Sequence, residues 1–302
     1  MAAVTLRIMG IGNSSGAQAI TGNIFTGGER VLFPLAGSLT SAPTLAATYL
    51  VAAIPMVIRT SKYRIFRFIG TLAAFYVLVQ GDRRSALISM VVLLMLPALA
   101  PRRFRQFAPF FIGFLLSLPF VLKITGNLTD KFDIGILQRT GETNSESLNT
   151  RLQIWSKVLE FYQDRVDWLH QLFGYGTSGQ AVSGASLTYR KFFLDARDQN
   201  VQSPHNSVIQ TLFDGGWVAA TGFAITVVCL ARIISHRYSA FDLAGLAMLT
   251  SLTIVGTTEA VLAPGYPQPV WWTVMALGII GFSKANGQTN RPQSAVRRTR
   301  GP

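Results

Sequence analysis

The stretch SPHNSVIQTLFDGGWVAATGFAITVVCL, residues 203–230, decides the fold class of this chain. After a Pro-His-Asn turn it is apolar almost without a break, and Asp214 is its one acidic side chain. A helix of about 20 such residues is long enough to cross the ~30 Å hydrocarbon core of a bilayer. The stretch therefore predicts a transmembrane helix with a histidine, His205, at its mouth.

The composition of the whole chain points the same way. Hydrophobic residues make up 49% of it and charged residues only 14%, which is too little charge to cover a soluble domain. A backbone surrounded by lipid must satisfy its own hydrogen bonds, so the apolar runs predict helices. We expect an all-α, polytopic transmembrane helix bundle with about seven spans, at 42–58, 66–80, 85–100, 107–122, 207–231, 243–261 and 269–282.

The net charge of +13 is unevenly distributed. With seven spans, the basic clusters at 59–67, 102–105, 232–237 and after residue 284 fall on one side, which the positive-inside rule makes the cytoplasm. The 125–204 loop then lies outside, where 8 Lys/Arg and 9 Asp/Glu nearly balance. The charge is therefore a topology signal, and no nucleic-acid partner is expected. Segment 1–41 is predicted outside, spans at 42–124 and 205–283, and a basic cytoplasmic tail at 284–302.

Two adjacent arginines, Arg83 and Arg84, follow a short apolar run at the outer end of a predicted span. Arginines below the headgroup level are costly unless something anionic meets them, which would make them a binding site for an anion. A tight turn in which Asp82 neutralises one arginine, while both side chains reach water, accounts for the same residues. The sequence leaves both interpretations open.

The stretch NTRLQIWSKVLEFYQDRVDW predicts an amphipathic helix in the outer loop, because apolar residues recur at helical spacing from Leu148 to Val166. Its apolar face would lie on the membrane surface or on the bundle. Arg151 and Trp155 share a face, and an arginine beside an interfacial tryptophan is well placed to meet a lipid phosphate. A solvated arginine is the alternative. Downstream, FGYGTSG at 173–179 is rich in turn residues and favours close approach to a ligand.

His205 stands at the predicted outer end of the fifth span. Pro204 favours helix entry at or just after His205, and Asn206 or Ser207 can cap the new helix. Histidine changes protonation near neutral pH, which suits a general base. A helix-entry residue with a structural role is the alternative. Asp214 lies about two and a half turns deeper, where an acid needs a partner.

These motifs, in this order, resemble the O-antigen ligase family, which also contains polysaccharide polymerases. The family pattern has an arginine followed by a small residue and Ala, then Arg with Trp four residues later, then His-Asn followed by an acid and Gly. The acid is usually Glu, and the doubled arginine brings in Arg83 beside Arg84. Members have more spans than are predicted here, so the resemblance implies that this chain lacks N-terminal spans. The matching residues are Arg84, Ser85, Ala86, Arg151, Trp155, His205, Asn206, Asp214 and Gly216.

The resemblance implies an inner-membrane glycosyltransferase with a large periplasmic loop. It would move a glycan from an undecaprenyl-pyrophosphate carrier to an acceptor sugar, commonly on lipid A-core, by a single inverting displacement. Arg83, Arg84 and Arg151 would bind the diphosphate, and His205 would take the proton from the acceptor hydroxyl. The supporting residues would be Trp155, Asn206 and Asp214.

No cofactor or metal is expected. Arginines can stabilise the leaving diphosphate, no Asp/Glu cluster resembles a magnesium site, and the one cysteine, Cys229, gives no metal pattern. A polymerase would use the same residues with a growing glycan as acceptor. A transporter or flippase would place polar residues near mid-membrane, where Asp214 is the main candidate, since Glu259 lies near the outer end of its span. An inactive fragment is a third alternative.

Overall fold

A computed structural model describes residues 41–59, 64–81, 84–124, 148–190, 203–236 and 240–264. Every regular element within these ranges is a helix, so the all-α prediction is confirmed there. The predicted seventh span at 269–282, Arg83, the tail at 284–302 and nearly all of segment 1–41 lie outside the described residues. The helices are α1 Ser41–Arg59, α2 Arg64–Gly81, α3 Arg84–Leu99, α4 Pro101–Ile124, α5 Leu148–Arg165, α6 Trp168–Phe173, α7 Gly179–Val182, α8 Ser186–Tyr189, α9 Ser207–Ser235 and α10 Ala240–Thr258.

The long helices form a bundle with α10 at its centre. This helix packs against α1, α3, α4 and α9. Leu246, Leu249, Leu252 and Val255 are each at most 2% exposed, so the apolar residues of α10 face other helices. By contrast, α2 exposes large apolar side chains such as Phe66 and Leu72, at 70% and 55%. Such a surface is typical of a helix that faces lipid or another apolar partner.

Long helices that follow one another along the chain run antiparallel, which gathers their termini at two ends of the bundle. At one end, Phe120 of α4 contacts Trp217 of α9, with ring centroids 5.3 Å apart. At the other end, Arg232 of α9 lies 5.8 Å from the ring centroid of Phe110. The start of α9 likewise meets the end of α10, where the Ser207 hydroxyl donates to the Glu259 carbonyl at 2.8 Å.

One end of the bundle carries the basic clusters. We call it the basic end: it holds the starts of α2, α4 and α10 and the ends of α1, α3 and α9, with Arg67, Arg102, Arg103 and Arg232 among its residues. The opposite end, which we call the loop end, carries α5 to α8. The described residues of the basic clusters therefore lie together, as the charge pattern predicts, while the side of the membrane that they face stays a prediction.

Six predicted spans coincide with described helices, but only two of these helices meet the length and hydropathy expected of a membrane span. Pro101–Ile124 and Ser207–Ser235 are long and apolar enough to cross a membrane, judged by length and composition. The apolar stretches Ala42–Ile54, Ile65–Gly81, Ala86–Pro97 and Asp242–Thr258 are shorter. The seven-span count therefore stays a prediction.

The amphipathic helix predicted in the outer loop is α5, and its apolar face packs on the bundle rather than on a membrane surface. Ile154, Val158 and Leu159 lie in a core cluster with Ile209 and Phe213 from the start of α9. The outer face of α5 is polar and exposed, with Gln153, Glu160, Gln163 and Asp164 on it. The choice that the sequence left open is therefore settled by the contacts of this helix.

Helix α9 is kinked at Gly215 and Gly216. The backbone of Gly216 has φ 67° and ψ −167°, a combination that is essentially restricted to glycine. A Cβ atom at Gly216 would overlap the backbone of Leu172 at the end of α6. The small residues of DGGW thus permit close packing, as predicted, although the neighbour is a short loop helix.

The kink corrects the predicted fifth span, 207–231. At a rise of 1.5 Å per residue, Phe120, Trp217 and Thr258 each lie about 27–29 Å from the basic end along their own helices. If the segment 207–214 continued in the same direction, it would reach about 12 Å further. Ser207 instead contacts the residue that follows α10. The segment 207–214 therefore crosses the loop end, and 217–235 is the part of α9 with the length of a span.

Candidate functional site

A carboxylate joins the two residues that the sequence motifs single out most strongly. Glu259 accepts from Arg151 Nη2 at Oε1 and contacts His205 Nδ1 at Oε2, both at 2.9 Å. The side chains of Arg151, His205 and Glu259 are 16%, 24% and 10% exposed, so the cluster is largely shielded yet reachable from the surface. We call these three residues the Arg-Glu-His cluster.

Each member comes from a different element at the loop end. Arg151 lies in the first turn of α5, His205 in the turn before α9, and Glu259 directly after the end of α10. They are far apart in sequence: Glu259 lies 108 positions after Arg151 and 54 positions after His205. The fold alone brings them together.

Trp155 fixes α5 to the turn that carries His205. Its indole N–H donates to the carbonyl of Pro204 at 3.0 Å. The side chain is 3% exposed and lies in the core cluster between α5 and α9. The expectation of an interfacial tryptophan is therefore wrong: Trp155 is buried, because the apolar face of α5 is covered by protein. Its contact positions His205 relative to Arg151.

Asn206 caps α9 and ties it to α10. Its side-chain oxygen accepts from the backbone N–H groups of Val208 and Ile209, at 2.9 and 3.0 Å, which is the N-cap geometry predicted for this turn. Its amide nitrogen donates to the carbonyl of Thr257 at 2.9 Å. Asn206 is fully buried, so these hydrogen bonds hold the protein interior together. It holds the residues on either side of it, His205 included, against the end of α10.

His205 itself has a left-handed backbone conformation, with φ 50°. Histidine is one of the few non-glycine residues that adopt this region with some frequency. The conformation turns the side chain towards Glu259, where the carboxylate meets Nδ1. A carboxylate at Nδ1 stabilises the tautomer that carries its proton on Nδ1, which leaves Nε2 as the nitrogen with a lone pair.

Arg151 has donor capacity that the described residues do not use. Its Nη2 is bonded to Glu259, whereas Nε is buried and has no hydrogen-bond partner within the described part of the chain. A guanidinium presents five N–H donors in a planar fork that suits phosphate oxygens. The side chain is 16% exposed, so part of the guanidinium is reachable by an anionic ligand although Nε is buried.

The other predicted arginines are only partly described. The backbone of Arg84 begins α3 at the loop end, the same end as the Arg-Glu-His cluster, but its side chain lies outside the described residues. Ala86, the last residue of the predicted Arg-Ser-Ala motif, is fully buried in the bundle core. The structure thus agrees with the placement of this motif on the same face as His205 and leaves its role as a prediction.

Asp214 lies at the kink of α9, away from the cluster. Its Oδ1 accepts from the backbone N–H of Gly179 and from Gln210 Nε2, both at 2.8 Å. Gln210 donates in turn to Gln180 Oε1 at 2.6 Å. Among the described contacts, none joins Asp214 to His205 or Arg151. The buried carboxylate of Asp214 is therefore paired with the backbone of the loop at Gly179 and with the side chain of Gln210.

The FGYGTSG stretch lies against the kink of α9. Tyr175 N–H and Gly176 N–H donate to the carbonyls of Phe213 and Asp214, both at 2.9 Å. Gly174 has φ 73°, and a Cβ at this position would overlap the backbone of the α9 kink. The glycine permits this close contact with α9, and close approach of the stretch to a ligand stays a prediction. This stretch locks the loop onto the kink.

Glu259 is the member of the Arg-Glu-His cluster that the sequence motifs missed. The sequence shows it only as an acid near the outer end of a predicted span, and its neighbours Thr257, Thr258 and Ala260 form no recognisable motif. An intramembrane or boundary acid generally requires a partner, and this was the available signal. Within the described residues, no group of three His, Cys, Asp or Glu could hold a metal ion.

Comparison with known proteins gives one result. A family model described as O-antigen ligase matches residues 32–224, which is more than half of the chain. The matched region contains Arg151 and His205, and Glu259 lies beyond it. No curated protein and no solved structure matches the chain.

Proposed function

The chain belongs to the O-antigen ligase family, and we propose on this premise that it transfers a glycan from an undecaprenyl-pyrophosphate carrier to an acceptor sugar. The family is one of membrane glycosyltransferases, which favours an enzyme over a transporter. The observation that carries the proposal is the Arg-Glu-His cluster, because it pairs a phosphate-binding group with a proton acceptor at the loop end.

Arg151 binds the diphosphate of the carrier in this proposal. The accessible N–H groups of its fork meet phosphate oxygens, while Glu259 holds the guanidinium in place through Nη2. The fork stabilises the negative charge that grows on the diphosphate as the glycosidic bond to the sugar breaks. Arg84, at the same end of the bundle, supplies a second cation, and Arg83 is its alternative.

His205 is the general base. Nε2 takes the proton from the acceptor hydroxyl as its oxygen attacks the anomeric carbon, and the bond to the diphosphate breaks on the opposite face. The anomeric centre is therefore inverted. Glu259 stabilises the imidazolium that results, and Arg151 stabilises the negative charge on the leaving diphosphate. One carboxylate thus orients both partners of the displacement.

The height of the cluster suits lipid-linked substrates. Glu259 follows Thr258, which lies about 27 Å from the basic end along α10, close to the ~30 Å thickness of a hydrocarbon core. Both the carrier diphosphate and a lipid-anchored acceptor sugar lie at such a boundary. We place this boundary on the periplasmic side of the inner membrane, with the basic end in the cytoplasm.

The sidedness has its own test. A reporter fused after Lys284 is expected in the cytoplasm, and one inserted at Ser183 in the exposed loop is expected in the periplasm. If both reporters were on the same side, the loop end and the basic end would not face opposite compartments, and the positive-inside argument would fail.

The catalytic proposal is tested at His205. His205→Asn keeps a side chain that tolerates the left-handed conformation, and His205→Gln keeps an amide of similar reach, but neither can act as a base. Both should lower the transfer of a carrier-linked glycan by about 10²–10⁴-fold in membranes with matched protein amounts. His236→Gln, at the basic end, is the control and should transfer normally.

The outcomes separate the alternatives. Near-normal turnover in both variants would refute the general base, and low protein with normal turnover per molecule would assign His205 a structural role. If the same assay transferred glycan to lipid A-core, the chain would be a ligase. Extension of a growing glycan instead would make it a polymerase that uses the same cluster.

A further inference from the structure

A short loop helix, α6, exposes almost all of its apolar side chains. Trp168, Leu169, Leu172 and Phe173 are 71%, 48%, 39% and 60% exposed, and we call them the α6 patch. The helix is well formed, since Asp167 caps it by accepting from the N–H groups of Leu169 and His170. The hydrogen bond from His170 also holds the pKa of Asp167 below its usual range, so the cap stays ionised. The patch is therefore a defined surface with exposed aromatic and aliphatic groups.

The α6 patch continues the apolar surface of a membrane span. The end of α6 lies directly on the kink of α9, where the backbone of Leu172 approaches Gly216. The next residues of α9, Trp217 and Val218, are 42% and 57% exposed. Since Trp217 lies about 27 Å along α9 from the basic end, the patch sits at the level where a span leaves the hydrocarbon core.

We propose that the α6 patch is a membrane anchor that lies in the boundary between the headgroups and the acyl chains. An exposed apolar patch needs an apolar or amphipathic partner, and for the adjoining exposed surface of α9, a candidate membrane span, that partner would be the bilayer. Tryptophan is enriched at this depth because its ring is apolar and its N–H is polar. A helix with one apolar face is the usual form of an interfacial segment.

The anchor is rigidly joined to the helix that carries Arg151. The Tyr162 hydroxyl of α5 donates to the carbonyl of Gln171 at 2.7 Å, and burial raises the pKa of Tyr162, so this donor keeps its proton. The Gln171 amide donates back to the carbonyl of Val166 at 2.8 Å. Docking of α6 in the interface would therefore fix the height of α5. That consequence for Arg151 rests on the proposed function, whereas the anchor itself does not.

Spin labels test the anchor without any assay of transfer. In the Cys229→Ser background, labels at Phe173→Cys and Leu169→Cys are compared in liposomes of phosphatidylcholine and phosphatidylglycerol. Ile225→Cys, on the apolar exposed surface of the α9 span, is the lipid reference, and Asp164→Cys, on the polar face of α5, is the water reference. Relaxation by oxygen reports lipid contact, and relaxation by a soluble nickel chelate reports contact with water.

We expect both α6 labels to resemble Ile225→Cys, with relaxation by oxygen exceeding relaxation by nickel. Labels that resemble Asp164→Cys would show that the patch faces water and would overturn the proposal. Labels reached by neither reagent would show that protein covers the patch, which overturns it equally. Dilution of labelled into unlabelled protein would then tell a second copy from another segment of the same chain. Using two positions guards against the misfolding of one variant.

Discussion

Glu259 offers the most direct test of the Arg-Glu-His cluster. The change Glu259→Gln keeps the size of the side chain and replaces one acceptor oxygen by an NH₂ donor. If the amide oxygen stays with Arg151, the NH₂ group faces His205 Nδ1, which must then be the unprotonated nitrogen. The proton moves to Nε2, and the base can no longer accept one. The variant therefore leaves the cluster assembled and inverts the tautomer.

The expected effect is as large as the loss of the base itself. General-base catalysis contributes about 10²–10⁴-fold, so Glu259→Gln should reduce turnover by about 100-fold or more, or about 2.7 kcal/mol in barrier height. Glu259→Asp keeps both acceptors but is one methylene shorter, and a loss of about 10-fold is expected, as for other residues that orient a catalytic group. Glu160→Gln, on the exposed face of α5, is the matched control and should be silent.

The assay is the initial rate of transfer from a carrier-linked glycan in proteoliposomes with equal amounts of each variant. Because Glu259→Gln keeps the contact with Arg151 and alters the one with His205, the double variant Glu259→Gln/His205→Asn should be no slower than His205→Asn alone. Two results would refute the reasoning. One is Glu259→Gln with more than half of the wild-type rate, and the other is a double variant whose losses multiply.

Three further changes probe the surroundings of the cluster. Arg151→Lys keeps the charge but loses the planar fork, so turnover should fall at least about 10-fold. The control, Arg165→Lys at the exposed end of α5, should leave turnover unchanged. Equal turnover in Arg151→Lys and wild type would argue against diphosphate binding by Arg151. Gly216→Ala forces a Cβ into the backbone of Leu172 in a conformation that costs about 1–3 kcal/mol, so the melting temperature in detergent should drop, whereas Gly222→Ala has open space and should melt like wild type. Asp214→Ala should destabilise the folded protein by about 1–3 kcal/mol and leave turnover per folded molecule nearly unchanged. Asp214→Asn keeps the Oδ1 acceptor, so its loss of stability should be smaller. A loss of turnover in stable protein would instead give Asp214 a part in the reaction.

The sequence predicts most of the helices, because their signals are local. Apolar runs of span length and the 3.6-residue period of α5 are written in consecutive residues, and the Pro-His-Asn turn marks the start of α9 to within about two residues. The kink is harder to predict. Two glycines inside an apolar run lower helix propensity only slightly, so DGGW indicates close packing without indicating that the helix changes direction there.

The site is predicted in part, for the same reason. Arg151 and His205 stand in recognisable motifs, but the carboxylate that joins them is Glu259, whose position depends on how α10 ends against α9. That contact joins residues far apart in the chain, so no pattern in neighbouring residues of the sequence reveals it. Trp155 shows a related limit: helical spacing tells that its face is apolar and does not tell whether lipid or protein covers it. The glycines of FGYGTSG likewise indicate close approach and leave the neighbour unspecified.

The backbone of His205 has a consequence for anyone who redesigns this chain. At φ 50° a side chain with a Cβ is disfavoured by roughly 1–2 kcal/mol, and glycine would occupy the conformation without that penalty. A design procedure that chooses each residue for its fit to the backbone would therefore replace His205 by glycine and predict a more stable protein. His205→Gly is then expected to be a stable, well-folded protein that cannot turn over. Such a variant would be a suitable trap for a bound carrier lipid, because the groups that hold the lipid are intact and the step that consumes it is missing.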